Sequence, residues 1–269
     1  MGKKRSNQPV KHQRKKQIEP GGGLVTVGQV QVSILIPAYN EANYLPKTLE
    51  AVHASRAAFD QAGWASEVIV CDNNSVDNSA EVAKINGARV VFEPFNQIAA
   101  SRNAAARIAR GDWLVFVDAD TRVSLPLFRD MMRAMVRDDC LGGGCPVVFD
   151  SGPWLARQTV IIWNVTGRIM RWAAGSFLFC RASAFHELDG FSQDYFAAEE
   201  VEYCIRLNRL GQRLAKRMII LNEPVMSSGR KVRALYTWEN LRHGLNTIAT
   251  SGDTLKQRGN CMYWYDPVR

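Results

Sequence analysis

The chain has 269 residues, 46% hydrophobic and 22% charged, with a formal net charge of +8. These proportions are those of an ordinary globular protein and exclude collagen-like, low-complexity and disulfide-scaffold classes. No segment approaches the roughly 18 consecutive apolar residues of a membrane span.

The excess charge is concentrated at the start. Lys3, Lys4, Arg5, Lys11, Arg14, Lys15 and Lys16 precede the first acid, Glu19, and Gly21-Gly22-Gly23 follows. Residues 1–29 therefore read as a disordered basic tail and hinge, more often a simply solvated segment, with contact to RNA or an anionic membrane surface as the alternative. The basic start has no apolar stretch behind it, so it is not a secretory signal. The six cysteines include no Cys-x-x-Cys pair and several lie in apolar runs. Reduced, buried thiols are expected, and neither a disulfide framework nor a zinc site. A cytoplasmic location follows as an expectation, with any membrane contact peripheral.

From residue 30 the pattern becomes strand–helix alternation. Val32–Pro37 reads as a strand, and Asn40 as the N-cap of a helix with apolar spacing at Leu45, Leu49 and Val52 that continues to about Phe59. Glu67–Cys71 is a second strand ending in the polar run Asp72-Asn73-Asn74-Ser75, and a helix opens at Asp77 or Asn78. Ala88–Phe92 is a third strand. An Ala-rich helix over 96–110 follows, with Gly111 as its stop. Trp113–Val117, five apolar residues, is a strand covered on both faces. It ends in Asp118-Ala119-Asp120. In an extended segment both carboxylates would share a face, and paired oxygen ligands suit Mg²⁺ or Mn²⁺.

This repeat predicts an α/β fold with a mostly parallel central sheet and helices on both faces. Polar clusters at 72–75 and 118–121 fall at strand carboxyl ends, where such sheets bind ligands. Neither a Gly-x-Gly-x-x-Gly nor a P-loop pattern is present. Beyond Asp120 the spacing predicts a helix over 125–136 with core methionines and a flexible glycine stretch at 142–144 before another strand. A longer helical region, mixed Ile/Trp and Arg, is expected over 154–172 and could line the side where a second substrate binds. Next come a strand over 175–180, a short helix over 181–188, a last strand over 213–221, and an amphipathic helix over 235–248. Glu202 and Arg206 form an i,i+4 pair. Positions 200 and 202 point about 200° apart on a helix, so at most one can face a substrate.

In order and spacing, four segments together resemble the family 2 glycosyltransferases, which have the GT-A fold: "SILIPAYNEANYLPKTLEAV", "EVIVCDNNSVDNS", "SRNAAARIARGDWLVFVDADT" and "GSFLFCRASAFHELDGF…EEVEYCIRL". The resemblance runs from Val32 to about Leu221. It implies one domain over 30–250, with 30–121 binding nucleotide and 122–229 binding acceptor, followed by a basic loop, helix and tail over 230–269. It also implies an inverting, metal-dependent transfer from a nucleotide sugar to the hydroxyl of a glycan or lipid-linked acceptor. Asp120 would hold Mn²⁺ or Mg²⁺, with Asp118 helping at the metal or ribose. Pro37, Tyr39, Glu41, Asp72, Asn73 and Arg102 would read the nucleotide, and Arg230 or Lys231 would close over the diphosphate. Glu200 would be the general base. Two departures stand out. Asn73 replaces the family's second Asp, so its carbonyl would accept a base N–H without charge, leaving UDP- and GDP-sugars both open. Glu200 replaces the catalytic Asp, an extension of about 1.5 Å, and Glu199 is the alternative base. Other readings are a non-catalytic nucleotide-sugar or RNA-binding protein, and a nucleotidyltransferase, whose Gly-rich loop is missing here.

Overall fold

The computed structural model describes residues 30–230 and 253–261. The basic tail, Lys231, Arg233 and the helix expected over 235–248 lie outside the described residues.

The first half alternates as expected. Strands β1 (Val30–Ala38), β2 (Ala65–Asp72), β3 (Arg89–Phe92) and β4 (Trp113–Val117) are separated by α1 (Leu45–Ser55) with α2 (Ala57–Gln61), α3 (Ser79–Ile85) and α4 (Ile98–Ile108). The second half runs β5 (Thr121–Arg122), α5 (Leu125–Met135), β6 (Cys140–Gly144), β7 (Val147–Phe149), α6 (Trp154–Met170), β8 (Phe177–Arg181), α7 (Ala182–Glu187), α8 (Glu199–Arg213), β9 (Arg217–Ile220) and β10 (Val225–Ser227). Two 3₁₀ turns follow, Asp253–Lys256 and Arg258–Cys261.

Seven strands form one sheet in the order β3-β2-β1-β4-β8-β6-β9. Only β8 runs against its neighbours, pairing antiparallel with both β4 and β6. The sheet buries both faces, which is why its strands are continuous apolar runs. Along β1 and β4, Ile34, Ile36, Val115 and Val117 enter the core beneath α1 and α5. Leu35, Leu114 and Phe116 enter the opposite core with Phe191 and Tyr203. A small sheet, β5-β10-β7, stands at the carboxyl end of β4. All six cysteines are buried and unpaired, as expected. Among the described residues no helix is long and apolar enough to cross a membrane.

Several expectations are corrected. Gly142–Gly144 is no flexible stretch but the buried strand β6. A Cβ at Gly143 would lie 1.9 Å from the Ile219 carbonyl oxygen, so glycine is there to let β9 approach. Asn40 caps no helix. It takes a left-handed conformation (φ +53°), and α1 begins five residues later behind Tyr44. The helix predicted through Phe59 breaks at Arg56. Gly111 does not stop α4, which ends at Ile108. A Cβ there would meet the Ser33 amide nitrogen at 2.6 Å, so it is small because β1 passes close by. The segment over 213–221 is divided between the end of α8 and β9, and β10 is a further strand too short to read from pattern.

Gly143→Ala should therefore force β6 and β9 apart, costing about 3 kcal/mol or more in urea unfolding, whereas Gly63→Ala, facing open space at φ +70°, should cost only about 1 kcal/mol, from backbone strain.

Candidate active site

The carboxyl ends of β1, β2 and β4 open onto one rim of the sheet, and the loops there are fastened to each other. After β1, Asn40 accepts from the Val76 amide at 2.9 Å. Glu41 and Ala42 donate their amides to the Ser79 hydroxyl and the Asp77 carboxylate at 2.8 and 3.1 Å. After β2, Asp72 turns its carboxylate back to accept from the Ser75 amide at 3.1 Å. Asn73 is occupied differently from the sequence expectation. Its amide donates to the Glu93 and Phe95 carbonyls, and its oxygen accepts from the Gln97 amide at 3.0 Å, just ahead of α4. Hydrogen bonding thus makes it a brace for α4, with its carbonyl already accepting one bond. Pro37 is buried inside β1 and Tyr39 half-buried beside the rim.

Asp118 and Asp120 do not lie on one face of an extended segment, as the sequence suggested. The chain turns here, with the Thr121 amide donating to the Asp118 carbonyl at 3.1 Å. The turn is held by the Thr48 hydroxyl on Ala119 O at 2.7 Å and the Ser228 amide on Asp120 O at 3.2 Å. Each aspartate consequently meets its own arginine.

Arg102 is the centre of the first cluster. It projects from α4, only 2% exposed. Its guanidinium donates to Asp118 at 3.1 Å, to the Gly175 carbonyl at 3.0 Å and to Glu199. The Phe191 ring lies 5.3 Å beneath it. The neighbouring Asn103 fixes that ring's backbone through two bonds, at 2.8 and 2.9 Å. Burial alone would lower the guanidinium pKa, but Glu199, Asp118 and Glu200 together hold it above its usual value.

Glu199 and Glu200 open α8 behind Ala198, a left-handed residue (φ +59°). They differ in one decisive respect. Glu199 is 2% exposed and bound to Arg102, whereas Glu200 is only partly covered. Glu202, the third acid, points away and pairs with Arg206 at 2.6 and 2.7 Å, as its helical position required. Burial and then the Glu200 charge push Glu199 up. Burial first, and Asp118 in addition, push Glu200 up, while Arg102 opposes them. Two like charges this close hold a proton to higher pH than free carboxyls do.

The second cluster joins Glu41, Asp120 and Arg230. One Arg230 nitrogen donates to both Glu41 oxygens and to Asp120 at 3.2 Å. Its guanidinium lies 4.0 Å from the centre of the Tyr44 ring. Burial would lower its pKa, but Glu41 and then Asp120 hold it above its usual value. Two carboxylates thus converge on one cation, a donor set that fits a hard divalent ion as well. No group of three or more His, Cys, Asp or Glu side chains is placed to hold a metal by itself among the described residues. Any ion here would take its remaining oxygens from a ligand.

Tyr44, Gly175 and Asn103 are members of the site that sequence reasoning missed. Gly175 carried a faint signal, the small-residue run Ala173–Ser176. A Cβ there would come within 2.8 Å of Arg102 and 3.5 Å of Glu200.

A fold of this topology with acids and arginines at the strand ends defines a GT-A-type α/β protein. The chain belongs to the glycosyl transferase family 2, whose model matches residues 33–197. It is 26% identical over 139 residues to the uncharacterized glycosyltransferase YibD of Escherichia coli, covering 50% of this chain and 37% of that one. It is 24% identical over 252 residues to the hyaluronan synthase of Pasteurella multocida, covering 87% of this chain and 24% of the synthase. The chain thus spans 37% and 24% of the length of these two relatives. Among solved structures it resembles the mannosyltransferase PcManGT of Pyrobaculum calidifontis, in complex with GDP-Man and Mn²⁺, at a TM-score of 0.60 and 19% identity, over 80% of this chain and 60% of that one. It also resembles glucosyl-3-phosphoglycerate synthase of Mycobacterium tuberculosis, in complex with Mn²⁺, UDP and phosphoglyceric acid, at a TM-score of 0.54 and 17% identity, covering 83% and 78%.

Because the folded-state pKa of Glu200 is raised, ionising it works against the fold as pH rises through that value. Glu200→Gln should raise Tm at about pH 8 and leave it nearly unchanged at about pH 4, where the carboxyl is already neutral. Thermal unfolding at the two pH values checks this.

Proposed function

We propose that the protein is an inverting, metal-dependent glycosyltransferase acting on a UDP- or GDP-sugar and the hydroxyl of a glycan or lipid-linked acceptor. The observation that carries this reading is the Arg102 network. It ties the donor-side Asp118 to the α8 acids, where Glu200, less buried than Glu199, stands beside the network without an ion pair to Arg102. Family membership and the nucleotides and Mn²⁺ bound by similar structures support the same reading.

In this proposal Tyr39, Asp72 and the buried Pro37 strand end form the wall against the base and ribose. Asp120 would hold Mn²⁺ or Mg²⁺, with Asp118, bound to Arg102, helping at the ribose or through water; such an ion would supply charge to neutralise the departing diphosphate. Glu41 fixes Arg230 near that position. The Arg230 Nε makes no hydrogen bond among the described residues. A buried donor without a partner is costly, so a diphosphate oxygen would complete its bonding. Asn73 keeps α4, and hence Arg102, in register.

Glu200 takes the proton from the acceptor hydroxyl as that oxygen attacks the anomeric carbon from the face opposite the diphosphate. The carbon–phosphate oxygen bond breaks, and the electron pair leaves with the nucleotide. Glu199 does not touch substrate in this scheme. Its role is to hold Arg102, whose charge opposes the upward push of burial on the Glu200 carboxyl.

Calorimetry with UDP-, GDP-, dTDP- and CDP-sugars, with and without Mn²⁺ or Mg²⁺, tests the donor site. One nucleotide class should bind, and binding should be lost with EDTA and in Asp120→Ala. Glu200→Gln should bind that donor normally while transfer, followed by nucleotide release, falls about 10²–10⁴-fold. No binding under any metal condition would remove the basis of the proposal.

A further inference from the structure

Helix α6 presents its apolar side to solvent. Ile161, Ile162, Val165 and Ile169 lie within about 100° of arc at 100° per residue, and all are exposed, Ile162 at 65% and Ile169 at 71%. Trp154, about two turns beyond the other end, is on the same arc and 72% exposed. The orientation is fixed by what faces inward. Asn164 binds both backbone groups of Val147 in β7, at 2.9 and 3.0 Å. Gly167 lies so close to the Trp172 carbonyl that a Cβ would come within 2.9 Å. The helix therefore turns the half-buried Val160, Trp163 and Asn164 and the buried Gly167 inward and exposes its isoleucines, so that it is apolar on the solvent side as well.

The stripe ends at a basic cavity. Arg168 in the last turn of α6, and Arg171 at its C-cap, line a space of about 250 Å³ with Arg137, Arg217, Ile219 and Ile220. Among the described residues, the one carboxylate bonded there, Asp139, is shared between Arg137 and Arg217 at 2.8–3.1 Å. Arg168 contacts neutral oxygens, Asn222 Oδ1 and Leu221 O, both at 3.3 Å. Four guanidinium groups against one carboxylate leave the end of an apolar helix strongly positive.

We propose that α6 and this arginine cavity form a docking face for the surface of an anionic lipid bilayer. The stripe would enter the boundary between headgroups and acyl chains, and the arginines would meet lipid phosphates. A second copy of this chain fits less well, because α6 contains no acid with which to answer the arginines. The assignment does not depend on the transfer reaction. It would place any lipid-linked acceptor beside the protein.

The test is co-sedimentation of the full chain with vesicles of phosphatidylcholine alone and of phosphatidylcholine mixed with phosphatidylglycerol. The wild type should bind the mixed vesicles far better. V165S/I169S should lower partitioning at least roughly tenfold through lost apolar burial, and R168Q/R171Q should lower it roughly tenfold through lost headgroup attraction. Both variants should keep the wild-type Tm. Binding equal to wild type in both variants would assign the effect to the basic tail and overturn the proposal. So would a lowered Tm in V165S/I169S without change in vesicle binding, which would mean the face is covered by the chain itself. Two other results would also overturn it. One is a dimer that these variants dissociate, with no vesicle binding. The other is binding of inorganic phosphate, lost in R168Q/R171Q, without binding of vesicles.

Discussion

The site depends on one buried guanidinium. Arg102 leaves α4 in the first half of the chain and reaches Glu199 at the head of α8, nearly a hundred residues later, with Asp118 and the Gly175 carbonyl between them. Removing one partner of a buried charge network typically costs about 3–5 kcal/mol, because the other charges are left unanswered. The two halves of the sheet, β3-β2-β1-β4 and β8-β6-β9, are thereby held in register at the rim where chemistry would occur. Asn103, one residue on, secures the same junction through the Phe191 backbone. The Arg-Asn pair thus acts as one fastening, charged on one side and neutral on the other.

Like charges are gathered at this rim. Among the described residues, Glu41, Asp118, Asp120, Glu199 and Glu200 stand around Arg102 and Arg230. In the proposed reaction a divalent ion arriving with the diphosphate would bring further positive charge to Asp120. The left-handed Ala198 sets the head of α8 at a backbone cost of roughly 1–2 kcal/mol. Strain and like-charge repulsion are both placed where function would use them and not in the core.

Much of this was legible in the sequence. The continuous apolar runs of β1 and β4 could only be strands buried on both faces, and the acids following β4 marked the rim. The helical separation of Glu200 and Glu202 correctly sent one of them to Arg206. What was not legible arises from contacts between distant segments. Asn40 looks like a cap, but the interloop bond to Val76 decides its conformation. Gly142–Gly144 looks flexible, but the close approach of β9 demands those glycines. The shared face of Asp118 and Asp120 was inferred from an extended geometry that the turn at Thr121 replaces. The choice between Glu199 and Glu200 rests on burial, which composition and spacing do not encode.

That choice is the central claim, and the pH profile of kcat/KM for Glu199→Gln tests it most directly. A glutamine at 199 still accepts from Arg102 but carries no charge, so the guanidinium acts on Asp118 and Glu200 alone. Transfer should persist, with its acid limb retained because Glu200 sets it. Loss of transfer as complete as in Glu200→Gln, with donor binding intact, would make Glu199 the base and contradict the account.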